Sequence, residues 1–344
     1  MLDCARKWGK MRAPVGAAIL ALALSHVTPT HAETANVRVA YQYGFQYVPM
    51  LVMKHRNLIE KHARKLGIDK LHVTWRQLSG ATTVADALLS GNLDFGGVGT
   101  APLILMWSKT QGGANVKGVA ALDSTAMVLT TINPNVKTLQ DFTDKDRIAV
   151  PAVRSSMQAL ALEFAAANIW GQAHYNRLDK LTVAMKHPDA AAAMLAKSGQ
   201  ITAHFTVPPF SIMELNDPAI HKVIDSHQIF DNNYATQDVL YTTQKFHDEN
   251  PKVYRAFLDA LTEATNTAQN DRKLAADIYI QETKTSLDPA FVEKVLRAPD
   301  INYSTVPNAT LKLAEFMAQI KVVAKPPAKW QDLFFPEIHG VSGS

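Results

Sequence analysis

The chain has 344 residues, of which 47% are hydrophobic and 19% are charged, and its formal net charge is +4. At roughly 100–200 residues per domain, this length favours two domains, and the composition excludes a disordered or collagen-like chain. The single cysteine excludes a disulfide framework and a cysteine-rich zinc or iron–sulfur site. The sequence has no run of about 18 uncharged apolar residues, so it predicts no conventional membrane span.

The first 32 residues are typical of a secretory signal peptide. Four basic residues between positions 6 and 12 precede the apolar run 15–24, and Thr30 and Ala32 supply the small side chains for cleavage after Ala32. The alternative is a short buried helix at the start of a cytosolic protein. Cys4 precedes the apolar run, so it is not placed to be the lipid-modified cysteine of a lipoprotein.

Cleavage would change the composition of the chain. It removes four basic residues and one acidic residue, which lowers the net charge from +4 to +1 and leaves 312 residues without cysteine. A nearly neutral chain gives little support to nucleic-acid binding. An exported chain without cysteine fits the bacterial periplasm, where disulfides are permitted but not required.

Strand and helix patterns alternate through the first part of the chain. Period-two alternation and short apolar runs predict strands at 37–43, 71–78, 94–98, 116–122 and 126–132. Helical spacing predicts helices at 49–62, 82–89 and 101–109. This order favours an α/β fold with a largely parallel sheet.

The middle of the chain repeats this plan, and a helical part follows it. The predicted strands are 147–153, 181–185, 201–207, 223–225 and 239–243. The predicted helices are 156–170, 189–197, 250–269, 272–283, 289–297 and 309–320. Because a helical tail without a sheet packs most economically on the first α/β unit, we predict two lobes. The first comprises 33–124 with 236–344, and the second comprises 125–235.

The sequence carries no familiar catalytic motif. It contains no G-x-S-x-G, no P-loop and no H-E-x-x-H. The glycines of 95–99 do not form a dinucleotide motif, so we interpret them as tight strand-to-helix geometry. His55 and His62 are seven residues apart on a predicted helix, where a surface pair is favoured over a metal site because no third ligand is near. We therefore predict no cofactor, no metal and no enzyme activity.

Small hydroxyl, amide and glycine residues gather where predicted strands lead into helices. These junctions lie at 42–45, 79–83, 99–102 and 152–158. In an open α/β sheet such loops meet at the carboxyl ends of the strands, where ligands bind. Helix N-termini there offer unpaired N–H groups that can hold an anion. At any one junction, however, a Ser or Thr can equally be a plain N-cap of its own helix.

Three segments carry a resemblance to a known family. The strand VRVAYQYG at 37–44, the block SGATTVADALLSGNLDFGGVGTAPLI at 79–104 and the stretch 239–251 are similar to the periplasmic solute-binding proteins of nitrate, sulfonate and taurine importers. The resemblance extends over 37–320 and is least distinctive at 170–235. It implies a type II clamshell, in which two α/β lobes enclose a ligand cleft and close on binding.

The resemblance also implies ligand-binding residues. In the first lobe these are Gln42, Tyr43, Ser79, Gly80, Thr82 and Thr100. In the second lobe they are Ser155, Ser156 and Gln158 at a helix start, and Pro209 and Phe210, which with Pro208 shape the wall. Asp238 would lie near the hinge, where an acid could meet an ammonium group or simply be exposed. Four aromatic residues are candidates to cover an organic tail, the alternative for each being a place in the core: Tyr43, Phe45, Tyr47 and Phe210.

The function that this resemblance implies is binding. The protein would be a monomeric periplasmic component of an ABC importer that binds a small organic anion, a taurine-like or other sulfonate ahead of nitrate, and delivers it to a membrane permease. The alternative is a binder of a neutral heteroaromatic, such as a thiamine pyrimidine precursor. Two further alternatives are a stand-alone sensor-like module and a pyrimidine-synthase-type enzyme, although the enzymes carry a cysteine cluster that the predicted mature chain lacks.

Overall fold

The computed structural model describes residues 33–230 and 235–344. The predicted signal peptide, with Cys4 and the cleavage site after Ala32, lies outside the described residues. The strands are β1 Asn36–Tyr41, β2 His72–Gln77, β3 Phe95–Gly99, β4 Lys117–Asp123, β5 Val128–Thr131, β6 Ile148–Val150, β7 Thr182–Ala184, β8 Ala203–Thr206, β9 His221–Asp225 and β10 Asp238–Thr242.

Helices connect these strands and form most of the C-terminal part. They are α1 Val48–His55, α2 Leu58–Lys65, α3 Ala81–Leu89, α4 Thr100–Lys109, α5 Met157–Trp170, α6 His187–Leu195, α7 Phe210–Leu215, α8 Ser226–Ile229, α9 Gln244–Glu249, α10 Pro251–Asn270, α11 Arg272–Thr283, α12 Pro289–Leu296 and α13 Thr310–Gln319. In the part of the chain that the structure describes, none of these helices is both long and apolar enough to span a bilayer.

The strands form two five-stranded sheets of matching design. The first has the order β2-β1-β3-β10-β4 and the second the order β7-β6-β8-β5-β9. In the first sheet β10 runs antiparallel to both neighbours, and in the second β5 does so. Four strands of each sheet therefore run in one direction, in agreement with the prediction of a largely parallel sheet. The one antiparallel strand of each sheet, which was not predicted, is the strand that follows a crossing of the chain between the sheets.

Those two strands also show how the chain is shared between the sheets. The chain leaves the first sheet after β4, and β5 lies in the second sheet; it returns with β10 after β9. The C-terminal helices then pack on the first sheet's side, with α10 against α1 and α2. We call the first sheet with its helices the first lobe, and the second sheet with its helices the second lobe.

The glycines of β3 allow large core side chains to pack directly against this strand of the first lobe. A Cβ added at Gly97 would lie 2.9 Å from Met50 Sδ and 2.9 Å from Tyr47, and one at Gly96 would lie 2.7 Å from the Tyr241 ring. Beside them the ring of Phe95 stacks on Phe257 of α10 at 3.7 Å. Large core side chains thus lie directly on the strand backbone, which fits the interpretation of these glycines as tight geometry.

The helix predicted at 49–62 is in fact two helices. Asn57 between α1 and α2 takes a left-handed conformation with φ of 48°, which redirects the chain. His55 consequently bonds to Glu282 at 2.9 Å and His62 to Glu263 at 2.8 Å. The predicted pairing of the two histidines is wrong, since each ring joins its helix to a different C-terminal helix. The short helices α7, α8 and α9 were not predicted.

Candidate functional site

A small cavity lies where the two lobes meet, at the carboxyl ends of several strands. Six of the residues that the sequence predicts for ligand binding line it: Gln42, Tyr43, Ser79, Ser156, Gln158 and Asp238. The cavity offers about 40 Å³ to the centres of water molecules. Since about 10–15 Å³ suffices for one water, the room corresponds to a few waters or a compact head group.

Three helix N-termini converge on this cavity. Its lining includes Ala81 at the start of α3, Gly99 immediately before α4, and Met157 at the start of α5. The first N–H groups of a helix have no partner within the helix and carry partial positive charge. The predicted convergence of several junctions is therefore present, and it favours a negatively charged group in the cavity.

The two lobes approach each other closely at Gly99. A Cβ added there would lie 2.8 Å from the Cβ of Met157 on α5. Nearby, the N–H of Phe45 donates to the carbonyl of Pro208 at 2.9 Å, which joins the lobes by a backbone hydrogen bond. A residue with a side chain at position 99 would force these surfaces apart.

The hydroxyls of Ser156 and Thr100 form hydrogen bonds within the protein. Ser156 Oγ accepts from the N–H of Ala159 at 3.2 Å and donates to the carbonyl of Ala152 at 2.8 Å, so it is the N-cap of α5. Thr100 Oγ1 donates to the carbonyl of Thr236 at 2.8 Å. The capping alternative therefore holds for Ser156, although Ser156 itself and the first two residues of α5, Met157 and Gln158, line the cavity.

The remaining predicted residues are placed differently. Thr82 is exposed on α3, Gly80 is buried, and Ser155 donates to the carbonyl of Val153 at 3.3 Å; none of these lines the cavity. Thr100 is likewise absent from its lining. The prediction that these four bind ligand receives no support from their positions.

A second cavity adjoins the first and is larger and mainly apolar, offering about 270 Å³. Gln42, Tyr43 and Tyr47 line both cavities. The other lining residues include Tyr41, Leu51, Pro188, Pro209, Phe210, Met213, Tyr279 and Leu287. Pro209 and Phe210 thus lie where the sequence predicts a second-lobe wall. Phe45, in contrast, is fully buried against Tyr279 and lines neither cavity, which agrees with the core alternative for this residue.

Two buried carboxyl groups meet at the edge of the first cavity. Asp238 accepts from the Tyr47 hydroxyl at 2.5 Å through Oδ1, and its N–H donates to Asp123 Oδ1 at 3.1 Å. Burial raises the pKa of Asp238 to about 6, although the Tyr47 hydrogen bond opposes this. Burial and the neighbouring Asp238 raise the pKa of Asp123 well above its ordinary value. At neutral pH Asp238 is therefore ionised and presents a negative charge at the edge of the cavity.

The structure also reveals polar residues that the sequence did not predict. Gln46 lines the cavity, and its Oε1 is buried without a hydrogen-bond partner among the described residues. His187 lines the cavity from the first residue of α6. Its ring belongs to a buried chain with His204 and Glu214. These three residues come from α6, β8 and α7, so no spacing in the sequence indicates that they meet.

The described residues contain no group of three or more His, Cys, Asp or Glu side chains that could hold a metal ion. The lining of the two cavities also includes no Lys or Arg. Any anion held there would rely on N–H groups, amides, hydroxyls and an imidazole.

Comparison with known proteins gives three kinds of match. A model of the NMT1-like family matches residues 30–280. The taurine-binding periplasmic protein of Escherichia coli K12 is 24% identical over 278 residues, which cover 80% of this chain and 77% of that protein.

Solved structures share the fold. The alkanesulfonate-binding protein of Xanthomonas axonopodis pv. citri, bound to MOPS, is 18% identical with a TM-score of 0.66, and the match covers 86% of this chain and 96% of that chain. The nitrate-binding protein of Synechocystis PCC 6803 is 14% identical with a TM-score of 0.60, and the match covers 77% of this chain and 70% of that chain. These likenesses show the two-lobed periplasmic-binding-protein fold, as the sequence predicted.

Proposed function

Because this chain belongs to the NMT1-like family, we propose that it is the periplasmic solute-binding component of an ABC importer. It binds a small organic anion between its lobes and delivers it to a membrane permease. It acts as a monomer without catalysis. The first lobe comprises 33–124 with 236–344 and the second 125–235. The observation that carries this proposal is the convergence of three helix N-termini on one cavity between the lobes.

Both lobes contribute to the cavity, which supports a closing mechanism. Gln42 and Ser79 come from the first lobe, and Met157 and Gln158 come from the second. A ligand that contacts both lobes stabilises the closed arrangement more than the open one, so it shifts an existing equilibrium towards closure. A permease that distinguishes closed from open protein would then recognise the loaded form.

The electrostatics favour an aminosulfonate such as taurine. Asp238 places one negative charge at an edge of the cavity, where it would pair with an ammonium group. The helix N-termini on the other side suit the sulfonate. Nitrate has no group to meet Asp238 and no tail for the adjoining apolar cavity, so sulfonates come ahead of nitrate. The similarity to a taurine-binding protein supports the same choice.

One observation favours a second candidate, a neutral heteroaromatic ligand. The lining of both cavities contains no Lys or Arg, and Phe210 lies nearly parallel to the His187 ring, 6.0 Å away and tilted by 20°. A flat ring such as a pyrimidine would stack on these side chains and bond to the amides of Gln42 and Gln158. Such a ligand would not need the helix N-termini.

A thermal-shift screen of the protein purified from the periplasm tests the proposal. The panel holds taurine, ethanesulfonate, an arylsulfonate, nitrate and hydroxymethylpyrimidine. We expect the sulfonates to raise the unfolding temperature, since ligand at 100 times Kd adds about 2.7 kcal/mol to stability. If only the pyrimidine raises it, the anion proposal is wrong and the second candidate replaces it.

A further inference from the structure

A chain of buried hydrogen bonds runs through the second lobe and ends at the cavity. Thr130 Oγ1 donates to Glu214 Oε2 at 2.5 Å, and Glu214 Oε1 lies 2.6 Å from His204 Nδ1. His204 Nε2 lies 2.8 Å from His187 Nδ1, and His187 Nε2 lies 3.3 Å from the Gln158 amide nitrogen. His204, Glu214 and Thr130 are fully buried, and His187 is 6% exposed.

When both rings are neutral, their hydrogen-bond partners determine which nitrogen of each ring carries the proton. The Glu214 carboxylate only accepts, so a neutral His204 donates from Nδ1 and keeps a lone pair on Nε2. His187 therefore donates from Nδ1 to that lone pair. The remaining nitrogen, His187 Nε2, is an acceptor that receives the Gln158 amide. In this neutral arrangement His187, which lines the cavity, has a lone pair on Nε2.

A lone pair on His187 Nε2 repels an anion in the cavity, whereas a proton on the same nitrogen would attract it. Resting on the function proposed above, we infer that binding of an anion is coupled to uptake of one proton by the chain His187–His204–Glu214. The added proton goes to His187 Nε2, and the proton on His187 Nδ1 moves to His204 Nε2. His204 becomes an imidazolium beside Glu214, and His187 stays neutral with its Nε2–H directed at the anion. Gln158 then turns its N–H from His187 to the same anion.

The charges around the chain favour this distribution. The chain changes from a net charge of −1 to 0, because the new imidazolium pairs with the Glu214 carboxylate. Burial and the nearby His204 lower the pKa of His187 well below its ordinary value, so a charge on His187 itself is disfavoured. The other titratable groups on this cavity are Asp238, Tyr43 and Tyr47 of the first lobe. The carboxylate–histidine–histidine chain thereby gives the anion an N–H donor and one added positive charge, which no Lys or Arg of the cavity lining provides.

Ethanesulfonate is the suitable probe, because it is taurine without the amino group. Its affinity is measured by calorimetry between pH 7.0 and 8.5, above the pKa of Asp238 at about 6. Tris and triethanolamine serve as buffers, since they differ in ionisation enthalpy and contain no sulfonate. We expect uptake of close to one proton per anion and a loss of affinity of about tenfold for each pH unit. Binding with no proton uptake would overturn the inference.

The variant Glu214→Gln keeps the shape and one acceptor of the side chain but removes its charge. We expect ethanesulfonate affinity at pH 7.0 to fall about tenfold and proton uptake to disappear. The control is His221→Gln, on β9 of the same sheet. The His221 ring bonds to the carbonyl of Val136 and takes no part in the hydrogen-bond chain of Glu214, His204 and His187. The control should leave the pH profile unchanged. An equal loss of pH dependence in both variants would contradict the assigned chain.

Nitrogen NMR of the histidine rings tests the protonation states of His187 and His204 without any variant. In the free protein at pH 7.5 we expect both rings to be neutral and protonated on Nδ1. Saturating ethanesulfonate should convert His204 to an imidazolium and His187 to its Nε2–H form, and unchanged rings would overturn the inference. The two proposals fail in different ways. If no anion binds, the proposed function falls and this inference with it, whereas binding without protonation removes the inference alone.

Discussion

Asp238 is the residue at which the candidate ligands differ most in their expected contacts. It is buried, ionised at neutral pH and held by the Tyr47 hydroxyl. We expect Asp238→Asn to weaken taurine binding by about tenfold or more, because an ammonium group loses its charge-assisted partner. Ethanesulfonate binding should change little or improve, since the variant removes a negative charge near the sulfonate.

Calorimetry with both ligands measures this difference. The control is Asp248→Asn, which changes an exposed acid on α9 away from both cavities. Equal losses of taurine and ethanesulfonate affinity in Asp238→Asn would show that the carboxylate acts only through the local fold. In that case the ligand's ammonium group does not meet Asp238.

Sequence reasoning predicted several of the residues that line the first cavity because of where strands end. Gln42, Ser79 and Gln158 follow strands or begin helices, and the topology of an α/β sheet brings such positions together. The same reasoning could not decide which way a hydroxyl points. Thr82 and Ser155 sit at matching junctions but turn away from the cavity. The His187 chain was missed altogether, because it depends on side chains that meet only after folding.

At the scale of the element, α5 carries a buried acid that responds to pH. Glu163 is 3% exposed and lies beside Asp179, which bonds to Arg154 at 3.2 Å. Burial, assisted by the charge of Asp179, raises the pKa of Glu163 to about 8. The folded protein therefore holds this proton at pH values where the unfolded chain has lost it. Its contribution to stability is greatest below the ordinary pKa of a glutamate, declines as pH rises towards 8, and is largely lost once pH passes 8.

We accordingly expect the unfolding temperature without ligand to fall by a few degrees between pH 7 and pH 9. The measured range begins at pH 7 because the pKa of Asp238 is about 6 and burial holds the pKa of His187 well below its ordinary value. Both groups therefore lose their protons below this range. Glu163→Gln should make the profile less steep, and the slope that remains reports Asp123, whose pKa is also raised. Glu249→Gln, at an exposed position on α9, should leave the slope unchanged. A profile that keeps its slope in Glu163→Gln would assign the effect to another group.

The elements themselves were mostly predictable, and their arrangement less so. The long helices α10 and α11 show clear helical spacing, and their predicted ranges differ from the observed ones by at most one residue at either end. The break between α1 and α2 depends on one left-handed asparagine, which leaves no mark in the hydrophobic pattern. The antiparallel directions of β5 and β10 follow from which sheet each strand joins, a long-range choice that local alternation does not encode.

At the scale of the whole molecule, Gly99 controls how closely the lobes approach. A methyl group there would overlap Met157, whose Cβ would lie only 2.8 Å away. Because φ at this position is −62°, alanine causes no backbone strain, so its effect is confined to that contact. We expect Gly99→Ala to keep the lobes further apart and to weaken ligand binding by about tenfold or more, since overpacking typically costs 1–3 kcal/mol.

Small-angle X-ray scattering measures the closure directly. The unaltered protein should become more compact when taurine is added, and Gly99→Ala should show a smaller change at the same saturation. Gly113→Ala is the matched control, because an added Cβ there makes only an ordinary contact, 3.6 Å from the carbonyl oxygen of Thr110. If Gly99→Ala binds and compacts like the control, the approach of Gly99 to Met157 is not part of closure, and the helix N-termini of α4 and α5 do not act on one ligand.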